Sequence, residues 1–318
     1  MRWSSVLRSV AMVMMLLAWG AACEAQQPHS KSASHRWLRL MAAGRQVPYE
    51  GVQTIEMHFA GRRTTATARV AHSRCATRTK ILSPAHMRGM EILERGGRRL
   101  VRRPGGTHWS ASLGSIPPEP HRLLRNYRVS VQGTAETAGR DAIIGTISSR
   151  ASGKQVRRIW LDSEKGVVLR AEHYNWEGRL VYSTEFQEID YAASLDEEEF
   201  ETGKLPIRGP RAVPVEVPDA ELPKPSYVPA GFKLIGSPCS VRTKRGDAIH
   251  LRYGDGLNVI SVFVRKQEPD DDRKKPEPRP SQDEPFSAIV HRVKGGYRVT
   301  IIGDINPAEL RRMADSID

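Results

Sequence analysis

The side chains that could carry chemistry are scattered along this chain and form no catalytic spacing. A serine nucleophile would need a Gly-x-Ser-x-Gly elbow, and none is present. The ten histidines show no metal-ligand spacing such as His-Glu-x-x-His. The stretch from Gly145 to Lys154 ends in Gly-Lys, but its spacing is wrong for a phosphate loop and it starts on a strand. Asp162 and Glu164 occupy a turn, where aspartate is favoured for local hydrogen bonding rather than acid–base work. The run Asp270-Asp271-Asp272 lacks the glycine and glutamate of a calcium loop and reads as solvated charge. No Cys-x-x-Cys exists, so neither a redox motif nor a zinc knuckle is suggested. The chain reads as a binding protein without a cofactor, not an enzyme.

Binding has to come from architecture. The chain has 318 residues, enough for two domains. Apolar content is 39 % and mean hydropathy −0.48. Arg2 and Arg8 precede an apolar run from Val10 to Trp19 that is too short to span a bilayer, which is the pattern of an export signal over residues 1–25. Two exits stay open: cleavage after Ala25, or lipid attachment at Cys23 in Gly20-Ala21-Ala22-Cys23. Either way the mature chain is expected in the periplasm or otherwise outside the cytoplasm. There the formal net charge of +13 favours anionic lipid or an acidic partner over nucleic acid. The excess is local: residues 61–128 hold 15 Arg or Lys against Glu91, Glu94 and Glu119. An oxidising compartment also permits a Cys75–Cys239 bridge, which would staple two domains; two separate thiols is the other reading.

Periodicity supplies the elements. His35 to Ala43 places Trp37, Leu38, Leu40 and Met41 on one helical stripe, a short helix that caps a sheet. From Tyr49 the period turns to two, and nine or ten antiparallel strands are expected over residues 35–201. Residues 202–226 carry prolines at 206, 210, 214, 218, 223 and 225 and read as an extended connector. A second domain follows over 227–318, interrupted by a charged stretch at 266–285 read as a disordered loop. Its centre is a hairpin over Ile249 to Val264 turning at Gly254-Asp255-Gly256. Leu310, Met313, Ala314 and Ile317 form the stripe of a last helix starting at Pro307, spaced to cover that hairpin. The fold class expected is α+β: an N-terminal antiparallel half-barrel with a capping helix, then a small antiparallel sheet covered by a C-terminal helix.

A long curved sheet with a capping helix can enclose an apolar cavity. The candidate wall residues are Ile55, Met57, Phe59, Trp109, Leu124, Trp160, Tyr174, Trp176 and Phe186.

Three segments of the second domain resemble the C-terminal domain of the RseB/MucB regulators of sigma-E-type stress responses. They are Tyr253 to Val264 (YGDGLNVISVFV), Val228 to Phe232 (VPAGF) and Val299 to Pro307 (VTIIGDINP). In the first domain Ile159 to Glu164 (IWLDSE), Leu169-Arg170 and Glu177 to Leu180 are similar to the paired strands of the same family, whose N-terminal half is LolA/LolB-like. The resemblance implies a half-barrel that accepts acyl chains and a smaller domain beside it. Together they would bind the periplasmic part of a membrane anti-sigma factor and shield it from proteolysis, with lipid or lipoprotein ligands releasing the grip. Partner-binding candidates on the hairpin are Tyr253, Asp255, Gly256 and Leu257, of which Asp255 and Gly256 are first of all turn formers. A lipid or lipoprotein carrier of the LolA type is the alternative function.

Overall fold

The computed structural model describes residues 31–59, 62–96, 98–113, 120–208, 212–214, 223–243, 246–266 and 288–317. The expected export signal, Cys23 and nearly all of the expected 266–285 loop lie outside them; Lys266 itself ends a strand. No helix among the described residues is long and apolar enough to cross a membrane.

The N-terminal part starts with helix α1 (Lys31–Gly44). Strands β1 (Tyr49–Phe59), β2 (Arg62–His72), β3 (Ala76–Ser83), β4 (Glu91–Arg95), β5 (Arg98–Arg102) and β6 (Trp109–Leu113) form an antiparallel meander. Helix α2 (Pro120–Asn126) leads into a second meander: β7 (Tyr127–Thr137), β8 (Arg140–Ser149), β9 (Gln155–Asp162), β10 (Val168–Tyr174) and β11 (Leu180–Asp190). β11 pairs with β1 and joins the two. β12 (Ile207–Arg208) adds a parallel edge to β6, giving a twelve-stranded sheet. A flat sheet would hold β7 about 19 Å from β11, yet the two approach each other in space, so this half of the sheet is rolled.

Residues directly opposite in an antiparallel pair share a face. One row runs Val131, Gly145, Ile159, Ala171, Thr184, Ile55, Ala66. Gly145 identifies what covers it: a Cβ there would lie 2.3 Å from the Trp37 indole. The face is therefore the one under α1. Trp37, Leu38 and Met41 pack there with Leu123, Tyr127, Val129, Ile147 and Leu161. Ser34 Oγ donates to the Val129 carbonyl at 2.8 Å and ties the start of α1 to β7.

Asp162, at the β9–β10 turn, has a fully buried side chain. Its Oδ1 accepts the backbone N–H groups of Glu164 (2.9 Å) and Lys165 (2.8 Å), and its Oδ2 accepts Arg140 Nε and, at 2.8 Å, Tyr191 OH. Burial alone would raise the carboxyl; these four donors together hold it below the ordinary range. Asp162→Ala is expected to cost about 2–4 kcal/mol, because it strands buried donors. The sign of the pH effect follows from the depressed value. The contribution is present above about pH 4 and is lost as pH falls through the lowered value. Urea midpoints of both proteins at pH 7 and pH 3 should show the gap shrinking in acid.

The C-terminal sheet is ordered β13 (Ala212–Pro214), β15 (Cys239–Thr243), β16 (Gly246–Gly254), β17 (Val259–Lys266), β19 (Tyr297–Gly303), β18 (Ala288–Lys294), with β14 (Lys233–Leu234) also on β16. Helix α3 (Pro307–Asp315) covers one face, seating Leu310, Met313 and Ala314 on Leu251, Ile260, Val262 and Ile301. Asn306 caps it by accepting the Ala308 N–H at 2.9 Å. The expected cover for the hairpin is thus found.

One expectation is corrected. The proline-rich 202–226 segment is not only extended connector: it supplies β12 to one sheet and β13 to the other, and Pro225 bridges to Ile317. Proline is tolerated there because both strands are short sheet edges. Of the two readings of the cysteines, separate thiols is the one found: Cys75 and Cys239 are both free, and no bridge staples the domains. Contact between the domains comes from elsewhere.

Candidate functional site: the interdomain seam

The β16–β17 connection is wider than the expected Gly254-Asp255-Gly256 turn. Gly254 still pairs with Val259, and the loop is 255–258. Asp255 explains it. Its Oδ1 accepts the N–H groups of Leu257 (2.9 Å) and Asn258 (2.7 Å), so those residues are held out of the ladder. Gly256 takes φ +100°, a conformation glycine adopts without strain.

That loop sits on the N-terminal domain. The Gly256 backbone lies against Arg122 and Leu123, and Leu257 packs into the core under α1. Tyr127 OH donates to Asp255 Oδ2 and accepts from Asn258 Nδ2 at 2.9 Å. Asn126 Nδ2 donates to the Asp255 carbonyl at 2.7 Å and the Gly231 carbonyl at 3.1 Å. From β9, Arg157 reaches Asn258 Oδ1 at 3.3 Å and Asp304 Oδ2 at 3.8 Å. The seam therefore combines an apolar insertion with a polar network whose centre, Tyr127 and Asp255, is buried, so that losing either partner there is costly.

Burial shapes its electrostatics. It pushes the Tyr127 phenol far above its ordinary range, and the Asp255 charge and hydrogen bond add to this. It lowers the Arg157 guanidinium, against the pull of Asp304, Tyr127 and Asp255. Burial raises Asp304, with Asp255 adding and Arg157 opposing. His173, beside Arg157 in the register of β10 on β9, is driven down to about 3 by burial and then by Arg157. These groups hold a contact. None is a nucleophile beside a base.

The nine candidate wall residues do not share one surface. Ile55, Met57 and Phe186 lie on the α1 face, and Phe59 has the same strand parity. Leu124, on α2, packs against the core beneath α1. Trp160 and Tyr174 belong to the opposite face, a correction. Trp160 packs with Ala142, Ile144 and Leu169, with the Arg158 and Arg170 guanidinium groups 4.9 and 4.5 Å from its ring centroid, and Tyr174 donates to Glu172 at 2.6 Å. Trp109 is also off the α1 face, buried with Leu93, Leu100 and Phe200, its Nε1 donating to the Thr202 carbonyl at 3.0 Å. Trp176 is exposed in the β10–β11 turn. Of the hairpin candidates, Tyr253 is in the core of its own domain, while Asp255, Gly256 and Leu257 face the N-terminal domain. Sequence reasoning missed Asn126, Tyr127, Arg157, Asn258 and Asp304. Two of them, Asn258 and Asp304, lie inside the very segments that carry the resemblance.

Comparison with known proteins places this two-domain arrangement. Residues 98–204 match the MucB/RseB N-terminal domain and residues 221–318 the MucB/RseB C-terminal domain, together more than half of the chain. The chain belongs to the MucB/RseB family. "Sigma factor AlgU regulatory protein MucB" of Pseudomonas aeruginosa is 27 % identical over 204 residues, a match spanning 63 % of this chain and 63 % of that relative. A crystal structure of MucB superposes with a TM-score of 0.61 at 21 % identity, covering 91 % of this chain and 98 % of that one. MucB in complex with MucA(peri) gives 0.64 at 21 % identity, covering 90 % and 98 %. At that identity the superpositions speak for the fold, and they extend across both MucB/RseB domains.

Proposed function

We propose that this protein is an exported negative regulator of an envelope-stress sigma factor, acting by binding the periplasmic segment of a membrane anti-sigma factor. The observation that carries the reading is the pairing of both MucB/RseB domains in one chain, joined through a specific seam. A relative of the same architecture has been crystallised with MucA(peri), which supports a partner of that kind here. The protein works by binding and has no catalytic step.

We further propose that lipid or lipoprotein modulates the grip. The rolled sheet offers Ile55 and Met57, both half-buried, on its α1 face, and the basic excess between residues 61 and 128 suits anionic head groups. Purification from crosslinked native cells is expected to retain one single-pass membrane protein in stoichiometric amount. Repeated recovery of the protein alone would remove the regulator reading. Mass spectrometry of the gently extracted protein tests the lipid arm separately: an acyl ligand supports it, and its consistent absence after incubation with cardiolipin or lipopolysaccharide vesicles overturns it.

A further inference from the structure

We propose that the seam is a latch that acid closes, with one proton taken up at the Arg157–Asp304 contact as the β16–β17 loop seats on the N-terminal sheet. The geometry places two carboxylates, Asp255 and Asp304, around one nearly buried guanidinium. Asp255 is already served by Tyr127 OH and by the Leu257 and Asn258 amides. Asp304 has Arg157 at 3.8 Å, beyond hydrogen-bonding distance, and the same Arg157 Nη2 also contacts Asn258 Oδ1 at 3.3 Å. The Asp304 side chain keeps 24 % of its surface exposed, so its charge is partly buried and incompletely compensated.

The groups that bear on Asp304 are Arg157 from β9 and Asp255 from the loop. Behind them stand His173 from β10, on which the Arg157 charge acts, and Tyr127 from β7, which acts on Arg157 and is itself acted on by Asp255. His173 is neutral above its value of about 3 and Tyr127 keeps its proton, so neither titrates between pH 5 and pH 8. Asp304 is raised when seated. A carboxyl that binds its proton more tightly in the closed state favours closure as pH falls through the raised value, and the gain levels off below the ordinary aspartate value of about 4. The inference rests on the two-domain binding reading only for its use in the cell. Its test needs no partner, so its failure leaves that reading standing.

The test uses the full chain with Cys75 and Cys239 replaced by serine and spin labels at the exposed positions 88 and 293, one in each domain. Leu257→Ala is included to weaken the seam so that closed and open placements are both populated. Pulsed dipolar spectroscopy at pH 5 and pH 8 reads the closed-to-open ratio. The ratio is expected to be higher at pH 5 than at pH 8, by at most about tenfold for each pH unit that seating raises the carboxyl. Adding Asp304→Asn should give the acid-like ratio at both pH values. Adding Arg157→Met should leave the latch open at pH 8 and restore closure at pH 5. A ratio independent of pH, a pH response that survives Asp304→Asn, or an Arg157→Met chain open equally at both pH values would each overturn the proposal.

Discussion

Gly256→Val is expected to part the two domains while leaving each folded. A Cβ at Gly256 would lie 2.4 Å from the Leu123 amide nitrogen and 2.7 Å from the Arg122 carbonyl carbon, and both are backbone that cannot swing aside. The φ of +100° adds strain for any β-branched residue. Overpacking and strain together amount to about 3 kcal/mol or more, applied at the point where the loop touches the N-terminal domain. Lifting the loop withdraws Leu257 from the core under α1 and breaks Tyr127–Asp255 and Asn126–Asp255. Small-angle scattering should register a larger radius of gyration, and the Leu123 and Tyr127 amides should exchange faster. Unchanged scattering with unchanged exchange would show that the seam does not set domain placement.

Gly145→Val should act on the other covered surface. Its Cβ would lie 2.3 Å from two atoms of the Trp37 indole, in the middle of the contact between α1 and β8. The indole is also held by its Nε1, 3.5 Å from the Ile143 carbonyl, and Trp37 is only 2 % exposed. α1 must rise, and the cost is about 3 kcal/mol or more. In a domain of this size that lowers the melting temperature by roughly 6–12 °C. Trp37 emission should shift red as the ring meets water. A melting temperature within a degree or two of the parent would mean that α1 is not the cover of this face.

These residues also mark what was legible in the sequence. The hairpin, the Asn306-Pro307 start of α3 and the Leu310–Met313–Ala314 stripe were readable because each is set by neighbours a few residues away. The aromatic wall was only half readable. Alternation states that Trp160 and Leu161 face opposite ways, but not which of them α1 covers, and register shifts between Val168 and Arg170 and between His173 and Tyr174 disturb the count. The seam was unreadable for a different reason. Asp255 and Gly256 have a complete local explanation as turn formers, and that explanation is correct. Their second role depends on Tyr127 and Leu123, well over a hundred residues upstream, which no local pattern links to them.

The pair of short strands drawn from the proline-rich segment limits how far any opening can go. β12 is bonded to the N-terminal sheet and β13 to the C-terminal sheet, and only four peptide steps separate Arg208 from Ala212. Four steps span at most about 14 Å when fully extended. While both strands stay paired, the two domains are on a leash shorter than either one is wide. Opening is then a rotation about that leash, and the loop and its seat remain at a high effective concentration for each other. Re-closure needs no encounter, so a partner or ligand that wedges the seam has to stay bound to keep it open.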